Sequence, residues 1–127
     1  MSATERNGVA SVVSQCQRLD DARILATTPE MFNADEWPRI DALRQRCHVR
    51  RYGGDCYNYA LLASGHADIV VESDLKPYDY MALVAVIEGA GGVISDWQGQ
   101  PLRLGSGAQV IAAATPELHA QALPLLN

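Results

Sequence analysis

The chain has 127 residues, 48% of them hydrophobic and 20% charged, which bounds it to one folded domain with a real core and excludes a disordered tail. A formal net charge of −5 argues against a nucleic-acid backbone as partner and suits cations instead, either metal ions or an amine-bearing substrate. No stretch has the length and apolarity of a membrane span or secretory core, so no membrane association is expected.

The first twenty residues are polar and irregular, with Asn7-Gly8 as a turn. Ala22 to Thr27 reads as a short strand ended by Pro29. Asp35 to Cys47 reads as a helix, its apolar residues Trp37, Ile40, Leu43 and Cys47 recurring at helical spacing. His48 to Tyr52 is a strand broken by Gly53-Gly54, and Asp55 to Ser64 is a helix stopped by Gly65. Ala67 to Val71 is a nearly continuous apolar run, the pattern of a strand covered on both faces. Pro77 to Ala90 is a helix apolar almost all round, which predicts deep burial. Val93 to Trp97 and Gln109 to Ala114 supply two more strands. Thr115 is an N-cap and Pro116 the first residue of a last helix. Strands alternating with helices predict an α/β fold, a layered α-β-α domain with a mixed or largely parallel sheet.

Ligands of open α/β sheets gather outside the carboxyl ends of the strands. Glu72 follows the strand Ala67 to Val71, and Asp79 stands in the first turn of the next helix, so both carboxylates fall at such a mouth. Spacing alone reads Asp79 equally well as an ordinary helix-start carboxylate. Gly53-Gly54-Asp55 opens the preceding helix with exposed N–H groups that could take an anion or a substrate oxygen; a tight turn with Asp55 as N-cap is the competing reading. Glu88, nine residues after Asp79, falls on the opposite side of the helix and suits a buried or rim structural role. Lys76 reads as a solvated loop residue. Cys16, Cys47 and Cys56 are widely spaced and read as small core residues of a protein in a reducing cytoplasm. His48, His66 and His119 are isolated and make no zinc pattern. None of these residues is assigned as a catalytic nucleophile.

The run Tyr78-Asp79-Tyr80-Met81-Ala82, continuing to Glu88-Gly89-Ala90-Gly91-Gly92, resembles the second signature of the inositol monophosphatase superfamily. Leu61-Leu62-Ala63-Ser64-Gly65-His66-Ala67-Asp68 is similar to the stretch before that signature. Three segments resemble the histidinol-phosphatase branch: Thr27-Thr28-Pro29-Glu30-Met31-Phe32, Arg51-Tyr52-Gly53-Gly54-Asp55-Cys56-Tyr57 and Leu75-Lys76-Pro77-Tyr78-Asp79.

The resemblance implies magnesium-dependent hydrolysis of a phosphomonoester, with Asp79 as a metal ligand and Gly53, Gly54, Asp55 and Glu72 binding substrate. Inositol phosphatases carry small neutral residues where this chain has Asp55. A carboxylate there suits the ammonium and imidazole of histidinol phosphate, because charge-assisted hydrogen bonds are the stronger ones. The family's first metal-binding signature, Asp-Pro-x-Asp-Gly-Thr, does not occur in the chain. The resemblance therefore implies an inter-domain segment at residues 1–20, then the C-terminal α/β domain of a phosphatase at 21–127, its N-terminal metal-binding domain lying outside this chain. Such a piece is expected to hold Mg²⁺ weakly, to hydrolyse little alone, and to self-associate into a homo-oligomer through the uncovered surface. An inositol or sugar phosphate as substrate, and a non-catalytic binding or assembly module, are the alternatives.

Overall fold

The computed structural model describes residues 5–6, 9–54, 57–73, 77–103 and 107–127; the side chains of residues 5–6, 9–10 and 77–81 lie outside the description. Asn7-Gly8, Asp55, Cys56 and Lys76, singled out above, also lie outside the described residues.

Five strands form one sheet: β3 (Arg23–Ala26), β4 (Val49–Tyr52), β5 (Ile69–Glu72), β6 (Val93–Ser95) and β7 (Val110–Ala113), in the order β4-β3-β5-β7-β6. A separate two-stranded ladder pairs β1 (Glu5–Arg6) with β2 (Val9–Ala10). In the main sheet β4, β3 and β5 run parallel, while β7 is antiparallel to both β5 and β6. The sheet is thus mixed. Among the described residues four α-helices flank it: α1 (Trp37–Arg46), α2 (Tyr57–Ala63), α3 (Pro77–Gly89) and α4 (Pro116–Leu126). Helix α1 packs on α4 and α2 on α3, giving the three-layer α-β-α arrangement.

The central strands explain the layering. Every residue of β5 and of β7 is buried, which requires helices on both faces. Edge strand β4 is the opposite case, with Arg50, Arg51 and Tyr52 exposed. Trp97 is fully buried and its indole N–H reaches the Val110 carbonyl at 3.2 Å, so the strand expected to run to Trp97 ends at Ser95. The chain turns at Asp96, whose Oδ1 accepts from the N–H groups of Gln98 and Gln100, and this turn feeds the indole inward.

Helix α1 starts two residues later than its acidic N-terminus suggested. Asn33 Oδ1 accepts from the N–H groups of Asp35 and Glu36, both at 2.9 Å, and holds residues 33–36 in a turn before the helix. Helix α4 begins as the sequence indicates: Thr115 Oγ1 accepts from the Leu118 N–H at 3.3 Å, with Pro116 at the first helical position. The expectation of deep burial for α3 fails. Among its described side chains only Ile87 is buried, while Ala82, Ala85 and Glu88 are exposed. One side of α3 packs on α2 and β6, and the side carrying Ala82, Ala85 and Glu88 is uncovered by the described residues.

Residues 11–20 are not a loose tether. The Val13 N–H donates to the Ala90 carbonyl at 3.1 Å, and the Thr115 hydroxyl donates to the Cys16 carbonyl at 2.7 Å. Cys47 is buried, which pushes its thiol up to about 12; Cys16 is half-buried and its thiol is also raised, again chiefly by burial. Neither is a thiolate near neutral pH, in keeping with packing roles.

Candidate active site

The carboxyl ends of β3, β4 and β5 lie side by side, because Leu25 pairs with both Arg51 and Val70 in the parallel ladders. The first residues beyond them are Thr27, Gly53 and, at the last position of β5, Glu72. Gly53 and Gly54 have φ values of 101° and 97°, two successive left-handed positions that side-chain-bearing residues rarely adopt. That conformation turns the Gly53 N–H back onto the carbonyls of Ala26 and Thr27, at 3.0 and 2.8 Å, and ties the turn to the end of β3. The Gly54 carbonyl in turn accepts from the Tyr57 N–H at 2.8 Å, at the start of α2. A Cβ at Gly54 would overlap Asn58 Oδ1, so this glycine is required for space as well as for φ.

Glu72 is 2% exposed, and Thr27 donates its hydroxyl to Glu72 Oε2. Tyr59, on α2, is 1% exposed and stands beside the same carboxylate. Burial first, then the negative charge and hydrogen-bonding pull of Glu72, holds the Tyr59 phenol well above the ordinary tyrosine range. Its hydroxyl nevertheless makes no hydrogen bond of acceptable geometry, and neither does Asn58 Nδ2. Those two atoms are the buried side-chain polar groups without a partner among the described residues.

Ser73 continues the chain from Glu72 and is itself anchored. Its hydroxyl donates to Glu36 Oε2 at 2.8 Å, and Gln109 Nε2 donates to the same oxygen at 2.7 Å. The Asn33 N–H donates to Glu36 Oε1 at 3.0 Å. Burial alone would raise the Glu36 carboxyl, but the bonds from Gln109, Asn33 and Ser73 outweigh it and hold the group below the usual carboxylate range. These residues, with Met31, Gly107 and Ala108, line an open pocket of about 470 Å³ beside the end of β5.

Of the residues singled out from sequence, Gly53, Gly54 and Glu72 come together at one edge of the sheet. Asp79 lies in the first turn of α3, the helix that follows β5, with its side chain outside the described residues. Glu88 is exposed rather than buried, in the last turn of α3, where it lines a different pocket with Ser95 and His119. Thr27, Glu36, Asn58 and Tyr59 were not assigned to the site from sequence. For Thr27 a signal exists: it follows β3 where Glu72 ends the adjacent parallel strand. Among the described residues no three His, Cys, Asp or Glu side chains converge as a metal set, so these residues do not by themselves fit a magnesium cluster.

Comparison with known proteins identifies the family and the fold. The model of the inositol monophosphatase family matches residues 3–127. The bifunctional phosphatase IMPL2, chloroplastic, of Arabidopsis thaliana is 42% identical over 131 residues, covering 98% of this chain and 38% of that protein. A histidinol-phosphatase of Chlorobaculum parvum is 38% identical over 61 residues, covering 48% of this chain and 24% of its own length. The solved structure of an inositol monophosphatase from Zymomonas mobilis superimposes with a TM-score of 0.95 at 42% identity, covering 98% of this chain and 49% of that one. The chain therefore spans half or less of the length of these relatives. A family model matched from residue 3 to the last residue, on a fold that superimposes this closely, shows that the chain belongs to the inositol monophosphatase family.

Proposed function

We propose that this chain is the substrate-holding, C-terminal portion of a magnesium-dependent phosphatase that hydrolyses histidinol phosphate to histidinol, a step of histidine biosynthesis. The observation that carries the reading is the mouth at the ends of β3, β4 and β5. There Glu72 is held by Thr27 next to the Gly53-Gly54 turn, and Asp55 follows that turn in the sequence. The Glu72 carboxylate at this mouth, with Asp55 next in sequence after the glycine turn, suits a substrate whose alcohol end carries an ammonium and an imidazole. The name of the Chlorobaculum relative, a histidinol-phosphatase, points the same way.

The roles follow from the chemistry. Gly53 and Gly54 admit close approach of substrate to the backbone. Glu72 and Asp55 would hold the cationic end of the leaving alcohol, and Asp79 would be one of the residues holding the metal. Magnesium, when bound, polarises the phosphoryl group and activates water. Most of its oxygen ligands would come from a preceding portion of the polypeptide, so this chain alone is expected to bind the ion weakly and turn over slowly. The open side of α3 is a surface that such a portion, or a second copy in a homo-oligomer, would cover. The likeness to the Zymomonas inositol monophosphatase favours a second reading, with inositol phosphate as substrate. No described helix is long and apolar enough to cross a membrane; a cytoplasmic setting belongs to the same proposal.

The test is a fusion of this chain to the N-terminal portion of a full-length relative, assayed with magnesium on both esters. Turnover should favour histidinol phosphate. Asp55→Ala should lower kcat/KM for that ester roughly ten- to a hundredfold and spare inositol phosphate. Asp79→Asn should depress both esters. Equal losses on both esters in Asp55→Ala, or a wild-type preference for inositol phosphate, would reject histidinol phosphate as the substrate.

A further inference from the structure

A hydroxyl buried without a hydrogen bond is costly, and phenylalanine would fill the same space without that penalty. Tyr59 is such a case: 1% exposed, its OH without a closed bond, on the helix that packs against β5. Its neighbour is Glu72, 2% exposed and bonded by Thr27 through Oε2. Asn58, the adjacent residue on α2, carries the other buried atom without a partner and packs under Gly54. Both unsatisfied groups thus sit beneath the mouth formed by the Gly53-Gly54 turn and Glu72.

Resting on the reading of Glu72 as a substrate-binding carboxylate, we infer that Tyr59 is a positioning residue whose hydroxyl donates to Glu72 in the substrate-bound state and fixes the carboxylate's aim. The geometry gives the reason. Thr27 approaches Glu72 from β3 and Tyr59 from α2, so two hydroxyl donors from different elements flank one carboxylate. A carboxylate accepting from both keeps its remaining lone pairs in one direction, toward the mouth. Tyr59 does not touch substrate; it acts through Glu72. The phenol stays protonated across the working range, since burial and the Glu72 charge both hold its pKa high, and it is therefore available as a donor.

Two measurements test this. The first uses thermal unfolding of the 127-residue chain carrying Tyr59→Phe. If the hydroxyl is not part of the fold's support, the variant melts at or above the wild-type temperature. A fall of several degrees makes the hydroxyl structural and overturns the inference. The second uses the fusion enzyme with Tyr59→Phe, Glu72→Gln and the double variant. Tyr59→Phe should raise KM roughly three- to tenfold on whichever ester Glu72→Gln weakens, with kcat held within about twofold. The double variant should be no worse than Glu72→Gln alone, because the amide keeps one accepting oxygen, which Thr27 can take, and no longer presents the carboxylate that the Tyr59 hydroxyl aims. Additive effects, an effect on kcat alone, or no effect would overturn it. A wild-type preference for inositol phosphate would reject the proposed substrate while leaving this comparison readable on the preferred ester. A fusion silent on both esters leaves the decision to the melting experiment, where a destabilised Tyr59→Phe overturns the inference and an unchanged or more stable one supports it.

Discussion

Asp68 and Glu72 stand at opposite ends of strand β5, both nearly sealed from solvent at 1% and 2% exposure, and their surroundings differ in kind. At the amino end, Asp68 Oδ2 accepts from the Arg23 N–H at 2.8 Å and from Arg23 Nε at 3.0 Å. Its Oδ1 accepts from Arg23 Nη2 at 3.1 Å and from the Ser14 hydroxyl. The Asp68 main chain is committed as well, through its N–H to the Arg23 carbonyl and its carbonyl to the Ala114 N–H. The carboxylate stitches residue 14, β3 and β5 together. At the carboxyl end, Glu72 takes the Thr27 hydroxyl, and both buried groups without partners, Tyr59 OH and Asn58 Nδ2, lie on the neighbouring helix. A saturated network is what a fold needs to lock its elements; donors left unsatisfied under a glycine turn, one of them beside a carboxylate, are a reserve of hydrogen bonds not yet closed.

The largest expected effect breaks the saturated end. Asp68→Ala removes the acceptor for four hydrogen bonds and leaves Arg23 without its ion-pair partner. The Arg23 side chain is 39% exposed, so water recovers part of its solvation. The cost should be about 3 kcal/mol, below the full penalty of an abandoned buried charge. Urea unfolding of the chain reads it directly. A loss under about 1 kcal/mol would show that the network only decorates the end of β5.

Acid should expose the same end more gently. Burial alone would raise the Asp68 carboxyl, but the hydrogen bonds from Arg23 and Ser14 dominate and hold it below the ordinary aspartate range. A depressed folded-state pKa means that the stabilisation is complete above the unfolded value, near 4, and is lost as pH falls through the folded value. Stability should therefore drop on acidification below about pH 4, and the drop should be shallower in Asp68→Asn. An identical slope in the variant would assign acid sensitivity elsewhere.

Much of this contrast could be read in the sequence, and the reason for the rest is physical. The apolar runs of β5 and β7, the Thr115-Pro116 helix start and the Gly53-Gly54 break are local signals, and local chemistry decides them. The full burial expected for α3 followed from its composition, but burial depends on what lies outside, and the described residues cover only one side of the helix. That Glu72 closes a buried strand could be read from the apolar run before it. The place of Tyr59 could not, since an aromatic residue in an apolar helix looks like core until its hydroxyl is found beside a carboxylate. Glu36 falls within the helix expected over Asp35 to Cys47, whereas the turn made by Asn33 carries it inward to Ser73 and Gln109.

The smallest expected effect is at Glu36, and it shows whether the site end has a locked component of its own. Glu36 joins the turn before α1, the exit of β5 and the entry of β7, through Asn33, Ser73 and Gln109. Its carboxyl would be raised by burial, but the Gln109, Asn33 and Ser73 bonds hold it below the ordinary range, so it too stabilises above the unfolded glutamate pKa and loses that contribution in acid. Glu36→Gln keeps an oxygen but replaces the other by an amide that cannot accept from Ser73 and Gln109. The expected cost is about 1 kcal/mol, the worth of a modest hydrogen-bond loss. Because Ser73 directly follows Glu72, the variant should also loosen the aim of Glu72, raising KM in the fusion enzyme by roughly two- to fivefold. Ser73→Ala removes only the link between Glu36 and the residue after Glu72, while Gln109 and Asn33 still hold Glu36. If Ser73→Ala reproduces the KM change with little loss of stability, Glu36 reaches the mouth through the β5 exit. If stability falls in Glu36→Gln while KM stays at its wild-type value in both variants, the Glu36 cluster belongs with Asp68, as scaffold, and the reserve at the carboxyl end is confined to Thr27, Glu72, Asn58 and Tyr59.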